Sequence, residues 1–213
     1  MPIKLIIFDL DGTLIDSLAD IREAVNYALK PLGIGDKSEA EVRALIGRGI
    51  SSLIERAIGS RNLGHLDATV ARFMDYYASH LTDHTVLYPG VIASLDKLDR
   101  YKKGIISNKR ELFVKKIIHD IGLSQRFELL FGSDSAAERK PSPLPVIKML
   151  DHFRVDPGET VIVGDSDVDI ATGKAARIKT IAVSYGYGNR ENLHDAHIVI
   201  DDMHELPASI ELL

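Results

Sequence analysis

A chain of 213 residues, 45% hydrophobic and 27% charged, has the make-up of a globular protein large enough for one sizeable core and an accessory domain. Its net charge of -5 argues against a broad nucleic-acid surface, which needs clustered Lys and Arg, and leaves room only for a local positive pocket. With no cysteine, disulfides and thiolate metal sites are excluded; with no signal-like N-terminal stretch and no apolar run near the ~18 residues of a membrane span, the expected setting is the cytoplasm, away from membranes.

The first predicted element is the strand "IKLIIFD" (3–9). Its apolar run ends in Asp9 and, with one residue between them, Asp11, followed at once by Gly12 and Thr13. Negative charge clustered at a strand end is unfavourable unless something nearby offsets it. Gly12 lets the backbone approach a ligand closely and take up positive φ where needed.

From Asp16 to about Val86 the pattern is helical, with no convincing strand. "LADIREAVNYALKPL" sets Ile21, Ala24, Val25, Ala28, Leu29 and Leu32 on one face, and "LDATVARFMDYYASHL" aligns Leu66, Val70, Phe73, Met74, Tyr77 and Leu81. Between them, "SEAEVRALI" opens with Ser38 and Glu41 in capping-box spacing. This interval reads as a helical cap domain, 16–86, inserted into a core formed by 1–15 and 87–213. "LYPGV" (87–91) marks the return, with Pro89 and Gly90 at the boundary.

Thereafter short apolar runs alternate with amphipathic stretches. The runs are "KGIISN" (103–108), "ELLFGS" (128–133), "TVIVGD" (160–165), "KTIAVS" (179–184) and "HIVID" (197–201), with "RELFVKKIIHDIGL" and "LPVIKMLDHF" carrying helical spacing between them. Near-continuous apolar strands suit burial on both faces. Alternating strand and helix predicts an α/β fold: a Rossmann-like three-layer core with a central parallel sheet, plus the inserted α-helical cap.

Ligands of such sheets bind beyond the carboxyl ends of the strands. Those ends carry polar residues of one kind: Asp9 and Asp11, then Ser107 and Asn108, then Asp165 with Asp169 beyond, while Lys140 in "ERKPSP" lies between the third strand and a helix. Three or four carboxylates within about 4 to 6 Å repel by several kcal/mol even at an effective dielectric near 20. A divalent cation and a lysine offset this, and donors that are all oxygen favour Mg²⁺, which binds one or two carboxylates together with a phosphate oxygen. Pro141 biases Lys140 toward an extended conformation, and Ser142 and Pro143 can cap and begin the next helix. Ser166 and Asp169 match a capping box, so Asp169 has a structural reading beside its functional one. "YGYG" (185–188) reads as a mobile loop bordering the entrance.

These residues resemble the haloacid-dehalogenase-like phosphohydrolase superfamily: DxDGT at Asp9–Thr13, Ser-Asn at 107–108, Lys-Pro at 140–141 and GDxxxD at 164–169, in that order, with a helical insertion after the first motif. "DLDGTLIDS", "IGRG", "YPGV", "GDSDVDI" and "YGYG" are similar to the phosphoglycolate-phosphatase-like branch. The resemblance implies that Asp9 attacks phosphorus to form an aspartyl-phosphate and that Asp11 protonates the leaving alcohol and later activates water. It implies that Ser107 and Asn108 bind phosphoryl oxygens, that Lys140 balances charge, and that Thr13 supports the substrate loop. Mg²⁺ would be held by Asp9, Asp165 and the backbone carbonyl of Asp11, supported by Gly12, Ser166 and Asp169; "IGRG" reads most simply as a flexible turn, and beside that reading Arg48 or Arg43 would meet a substrate carboxylate. The partner implied is a small phosphorylated metabolite, phosphoglycolate first. Pyrophosphate, a sugar phosphate or a nucleotide are the alternatives, followed by a phosphomutase activity and by a catalytically silent phosphate-binding regulator. Oligomeric state is left open. One local departure stands out: the helix after the fourth motif commonly ends "AAG" in the family, whereas here it reads "AARIKT", with Arg177 in the place of glycine.

Overall fold

The structure, a computed structural model, describes residues 2–213. The chain divides into two compact units, one formed by Met1–Asp16 and Leu87–Leu213 and the other by Ser17–Val86.

Among the described residues the first unit holds one six-stranded sheet. Its strands are β1 (Leu5–Phe8), β2 (Lys102–Ile106), β3 (Leu129–Phe131), β4 (Thr160–Gly164), β5 (Lys179–Val183) and β6 (Ile198–Ile200). They lie in the order β3-β2-β1-β4-β5-β6, and every pair is parallel. The flanking helices include α5 (Val91–Lys97), α6 (Glu111–Asp120), α7 (Leu144–Phe153) and α8 (Asp167–Ala175). This is the three-layer α/β architecture expected from the alternation of runs. β1 is central and wholly buried from Leu5 to Phe8, with Ile7 opposite Gly104 on one side and Ile162 on the other. Leu5, Ile7, Ile106 and Ile162 pack with Val146, Met149 and Phe153 of α7 into one core cluster.

The order of the strands fixes where a ligand can bind. From β1 the chain builds outward through β2 and β3, then returns to the other side of β1 and continues through β4, β5 and β6. The direction of winding therefore reverses between β1 and β4, and connections diverge there to leave a crevice beyond the carboxyl ends of these two strands.

The strands are shorter than the apolar runs. β1 stops at Phe8 and β2 at Ile106, which leaves Asp9, Ser107 and Asn108 in the turns beyond. Helix α7 starts at Leu144, with Pro143 at its N-cap; Ser142 Oγ accepts from Leu144 N at 3.3 Å. At the end of α8, Arg177 takes φ 56°, so the left-handed position is kept although glycine is absent.

The second unit is helical: α1 (Leu18–Leu29), α2 (Glu39–Arg43), α3 (Ile50–Ile58) and α4 (Leu66–Ser79). α1 packs against α2, α3 and α4. The expected face of α1 is buried from Ile21 to Leu29 but excludes Leu32, because Pro31 lacks the N–H that would continue the helix and residues 30–32 form a 3-10 turn. Ser38 caps α2: its Oγ accepts from Glu41 N at 3.3 Å, and Glu41 Oε2 accepts from Ser38 N at 2.8 Å. Buried Asp20 accepts from His84 N at 2.9 Å and from Thr85 Oγ1 at 2.6 Å, tying together the two ends of this unit.

Among the described residues, no helix is long and apolar enough to cross a membrane.

Candidate active site

Side chains alternate along an extended chain, so Asp9 and Asp11 leave the end of β1 on one side and Leu10 on the other. Leu10 is fully buried, and its carbonyl accepts from Thr13, Leu14 and Ile15 N–H at 3.2, 2.9 and 3.2 Å, which closes a tight turn after the motif. Asp9 N donates to Val163 O at 2.9 Å, continuing the ladder to β4. The apolar residues of "FDLDGTLI" thus anchor the turn while its two acids stand at the crevice.

Lys140 reaches this point from the loop after β3. Its Nζ lies 2.9 Å from Asp9 Oδ1 and 2.6 Å from Asp169 Oδ1, and its side chain is only 2% exposed. Asp165 follows β4 directly, and Asp169 sits in the first turn of α8. One carboxylate oxygen from each of Asp9, Asp165 and Asp169 can be chosen so that all three lie within 4.8 Å of one another.

Three acids here face one ammonium. Burial pushes the Asp9 carboxyl well up, with Lys140 opposing and the charges of Asp169 and Asp11 adding. Burial also raises Asp165, as do the charges of Asp169 and Asp9, against the N–H groups of Tyr187 and Gly188. Burial acts to lower Lys140, but Asp169 and Asp9 outweigh it and hold the ammonium charged. The cluster therefore has negative charge in excess, of the kind a dication relieves.

The donor set fits such an ion. Asp169 has both oxygens engaged, Oδ1 with Lys140 and Oδ2 with Ser166 N at 3.2 Å and Ser166 Oγ at 2.6 Å. Asp165 Oδ2 accepts from Tyr187 N at 2.6 Å and Gly188 N at 3.1 Å, and Asp9 engages Lys140 through Oδ1. One oxygen on each of Asp9 and Asp165 remains for a metal. An all-oxygen pair of this kind suits a small hard cation that keeps much of its water.

The other expected residues of the first unit lie beyond the ends of β1 and β2 and differ in what they touch. The Asp11 carboxylate meets Lys109 Nζ at 2.8 Å, whereas the acidic cluster itself is made by Asp9, Asp165 and Asp169. Ser107 is buried, donates its N–H to Phe131 O at 3.0 Å, and accepts from Lys109 N at 3.2 Å through Oγ. Asn108 Nδ2 donates to Lys140 O at 3.0 Å, so this side chain also fixes the lysine's backbone. Thr13 is fully buried and its Oγ1 has no hydrogen-bond partner. Arg48 lies in the helical unit, between α2 and α3.

Two features were not foreseen in the sequence. Lys109 follows Ser107 and Asn108 directly, but a lone lysine after a turn carries no signal of burial. The segment Tyr185–Gly188, expected to be mobile, is instead built into the site. Tyr185 OH donates to Thr13 O at 2.8 Å, Tyr187 OH donates to Asp16 Oδ1 at 2.9 Å, and the Tyr187 and Gly188 amides hold Asp165. Glycine is required at 186, where a Cβ would stand 2.3 Å from both Asp165 Cβ and Gly12 O.

Comparison with known proteins agrees with this geometry. Residues 6–183 match the family model described as haloacid dehalogenase-like hydrolase. A phosphoglycolate phosphatase of Chromobacterium violaceum is 35% identical over 96% of this chain and 95% of that protein. One of Aquifex aeolicus is 38% identical, covering 86% of each chain. The crystal structure of a predicted phosphoglycolate phosphatase from Haemophilus somnus superimposes with a TM-score of 0.89 at 30% identity, covering 97% of both chains.

Proposed function

This chain belongs to the haloacid dehalogenase-like hydrolases and is a phosphoric monoester hydrolase; we propose that it acts on a small phosphorylated metabolite, 2-phosphoglycolate first, through an aspartyl-phosphate. The observation that carries the reading is the placement of Asp9 at the β1/β4 crevice, 2.9 Å from a buried ammonium and beside Asp165 and Asp169.

An oxygen of Asp9 attacks phosphorus, and the bond between phosphorus and the ester oxygen breaks. Asp11 gives its proton to that oxygen, so the alcohol departs neutral. In the second step Asp11 takes a proton from water as the water oxygen attacks phosphorus, and the bond to Asp9 breaks to release phosphate. Lys140 balances the charge that Asp9 and the phosphoryl group bring together, and Asp169 holds Lys140 in place. In this reading Ser107 and Asn108 bind the phosphoryl oxygens, and the buried Thr13 supports the loop that presents Asp9 and Asp11.

The metal we propose is Mg²⁺, held by Asp9, Asp165 and the backbone carbonyl of Asp11. When bound it supplies positive charge to the phosphoryl oxygens. Support for phosphoglycolate comes from the similarity to the phosphoglycolate phosphatases of Chromobacterium violaceum and Aquifex aeolicus. A compartment such as the cytoplasm, which keeps small phosphate esters at hand, suits this reading.

The test is phosphate release from a panel containing 2-phosphoglycolate, pyrophosphate, sugar phosphates, nucleotides and p-nitrophenyl phosphate, with and without Mg²⁺. Metal-dependent turnover with the highest kcat/KM on 2-phosphoglycolate is expected. No metal-dependent turnover on any ester would overturn the proposal.

A further inference from the structure

We propose that Lys109 is a positioning residue for Asp11, fixing the carboxyl group in the orientation from which it exchanges a proton with the ester oxygen and then with water. This rests on the assignment of Asp11 as acid and base given above.

The two aspartates of the first motif each have a lysine, and each lysine comes from a different strand end. Lys140, from beyond β3, serves Asp9 and Asp169. Lys109, from beyond β2, lies 2.8 Å from Asp11 Oδ1, with the two side chains only 6% and 11% exposed. An ammonium is rarely withdrawn from water to this extent, because its hydration is lost. An apolar side chain of similar length would fill the same space without that cost, so the charge itself is what the site retains.

The backbone that carries Lys109 is clamped on both sides. Its N–H donates to Ser107 Oγ at 3.2 Å, and its carbonyl accepts from Ser133 N at 2.8 Å. The turn after β2 is thereby fastened to the turn after β3, and the ammonium approaches Asp11 from a fixed base. The terminal torsion of an aspartate is soft and roughly two-fold, so a carboxyl group without such a contact samples many orientations. With Oδ1 held by Lys109, the plane of the Asp11 carboxyl group is fixed. Proton transfer depends on this geometry, since a misplacement of about 1 Å can cost about 10²-fold in rate.

The experiment compares the wild type with Lys109→Met, Lys109→Arg, Asp11→Asn and the double variant, using 2-phosphoglycolate and p-nitrophenyl phosphate with Mg²⁺. For Lys109→Met, kcat on 2-phosphoglycolate should fall about 10- to 100-fold while KM stays within about twofold. Nitrophenolate is a good leaving group that needs little proton assistance, so stopped-flow traces should show its first-turnover release less impaired than steady-state turnover. Lys109→Arg should restore most of kcat, and in the Asp11→Asn background Lys109→Met should cost nothing further. Unchanged kcat in Lys109→Met, a change in KM alone, or losses that multiply in the double variant would each overturn the proposal. Full activity in Asp11→Asn would instead overturn the acid and base assignment itself, whatever Lys109 does. Should Lys109→Met lose its fold by circular dichroism, Lys109→Gln carries the same comparisons.

Discussion

Gly12 and Asp165 approach so closely that no side chain can be added at residue 12: a Cβ there would stand 2.3 Å from Asp165 Oδ2 and 2.8 Å from Asp165 Cγ. Gly12 also has φ +86°, which L side chains rarely adopt. The glycine after the second aspartate is thus what lets the end of β1 and the end of β4 share one site. Gly12→Ala is expected to push Asp165 out of place, lowering kcat by about 100-fold. Isothermal titration with Mg²⁺ should show weakened binding in the same variant. Unaltered Mg²⁺ affinity would contradict this account of residue 12.

Asp9→Asn separates chemistry from stability. The amide cannot attack phosphorus, so turnover should fall by at least about 10³-fold, in the range lost when a nucleophile is removed. The same change removes one of three crowded carboxylates while Lys140 keeps its contact with Asp169, 2.6 Å away. Metal-free Asp9→Asn should therefore melt at a higher temperature than the metal-free wild type. Calorimetry giving a lower Tm would mean that the charge of Asp9 stabilises the fold rather than straining it.

Metal and pH should act on this cluster in opposite senses. Burial raises Asp9 to about 7 and Asp165 to about 8, above the ordinary carboxyl value of 3.8. Between about pH 4 and about pH 8 the folded chain therefore holds protons that the unfolded chain has released. Unfolding free energy falls with rising pH wherever the folded state binds more protons, so this contribution is complete at low pH and lost as pH rises through that window. Metal-free Tm should accordingly decrease between pH 6 and pH 8.5. Mg²⁺ should raise Tm more at pH 8.5 than at pH 6, because it competes with protons for the same oxygens. Thermal scans at the two pH values, with and without Mg²⁺, decide the matter; a metal-free Tm that climbs with pH would refute it.

The fold and the acidic centre were legible because each rests on local patterns. Strands such as "LIIF" and "TVIVG" are buried on both faces and so read as unbroken apolar runs, and Asp9, Ser107 and Asp165 each stand at the end of one. Lys109 was not legible, because a lysine that turns inward to meet Asp11 leaves the same trace as one that points into water. The packing of segment 185–188 is hidden in the sequence for a related reason. Its glycines suggested mobility, whereas they are there to let backbone amides close on Asp165. Such close approach depends on which strands are neighbours, β4 and β5 here, and one strand's sequence does not contain that. The two-residue strand Val86–Leu87 is too short to show a period.

In the helical unit, Asp20 is the test of how the two ends are joined. It is 1% exposed and accepts from His84 N–H and the Thr85 hydroxyl, more than sixty residues along the chain. Asp20→Ala leaves both donors without their acceptor. The expected loss is about 1–3 kcal/mol, the range for hydrogen-bond groups deprived of a buried partner. Urea unfolding should show a lower midpoint, and hydrogen exchange should show the His84 amide losing protection while amides of β1 keep theirs. Equal loss of protection in β1 would assign Asp20 a wider role than fastening this unit.

Arg177 offers a change in the stabilising direction. Helix α8 ends at Ala175, and two residues later the chain turns through φ 56° at an exposed arginine, after which Ile178 N donates to Gly173 O at 3.0 Å. A left-handed residue with a Cβ costs about 1–2 kcal/mol relative to the right-handed region, and glycine is free of that cost. Glycine gives part of the gain back, since its unfolded chain has more conformations to lose. Arg177→Gly should therefore stabilise the protein by about 1 kcal/mol with kcat and KM unchanged, because the residue makes no contact with the acidic cluster. Chemical denaturation measures the first quantity and steady-state kinetics the second. If the variant is less stable, the arginine stem contributes packing that outweighs the backbone term, and the missing glycine of "AARIKT" is an adaptation rather than a tolerated departure.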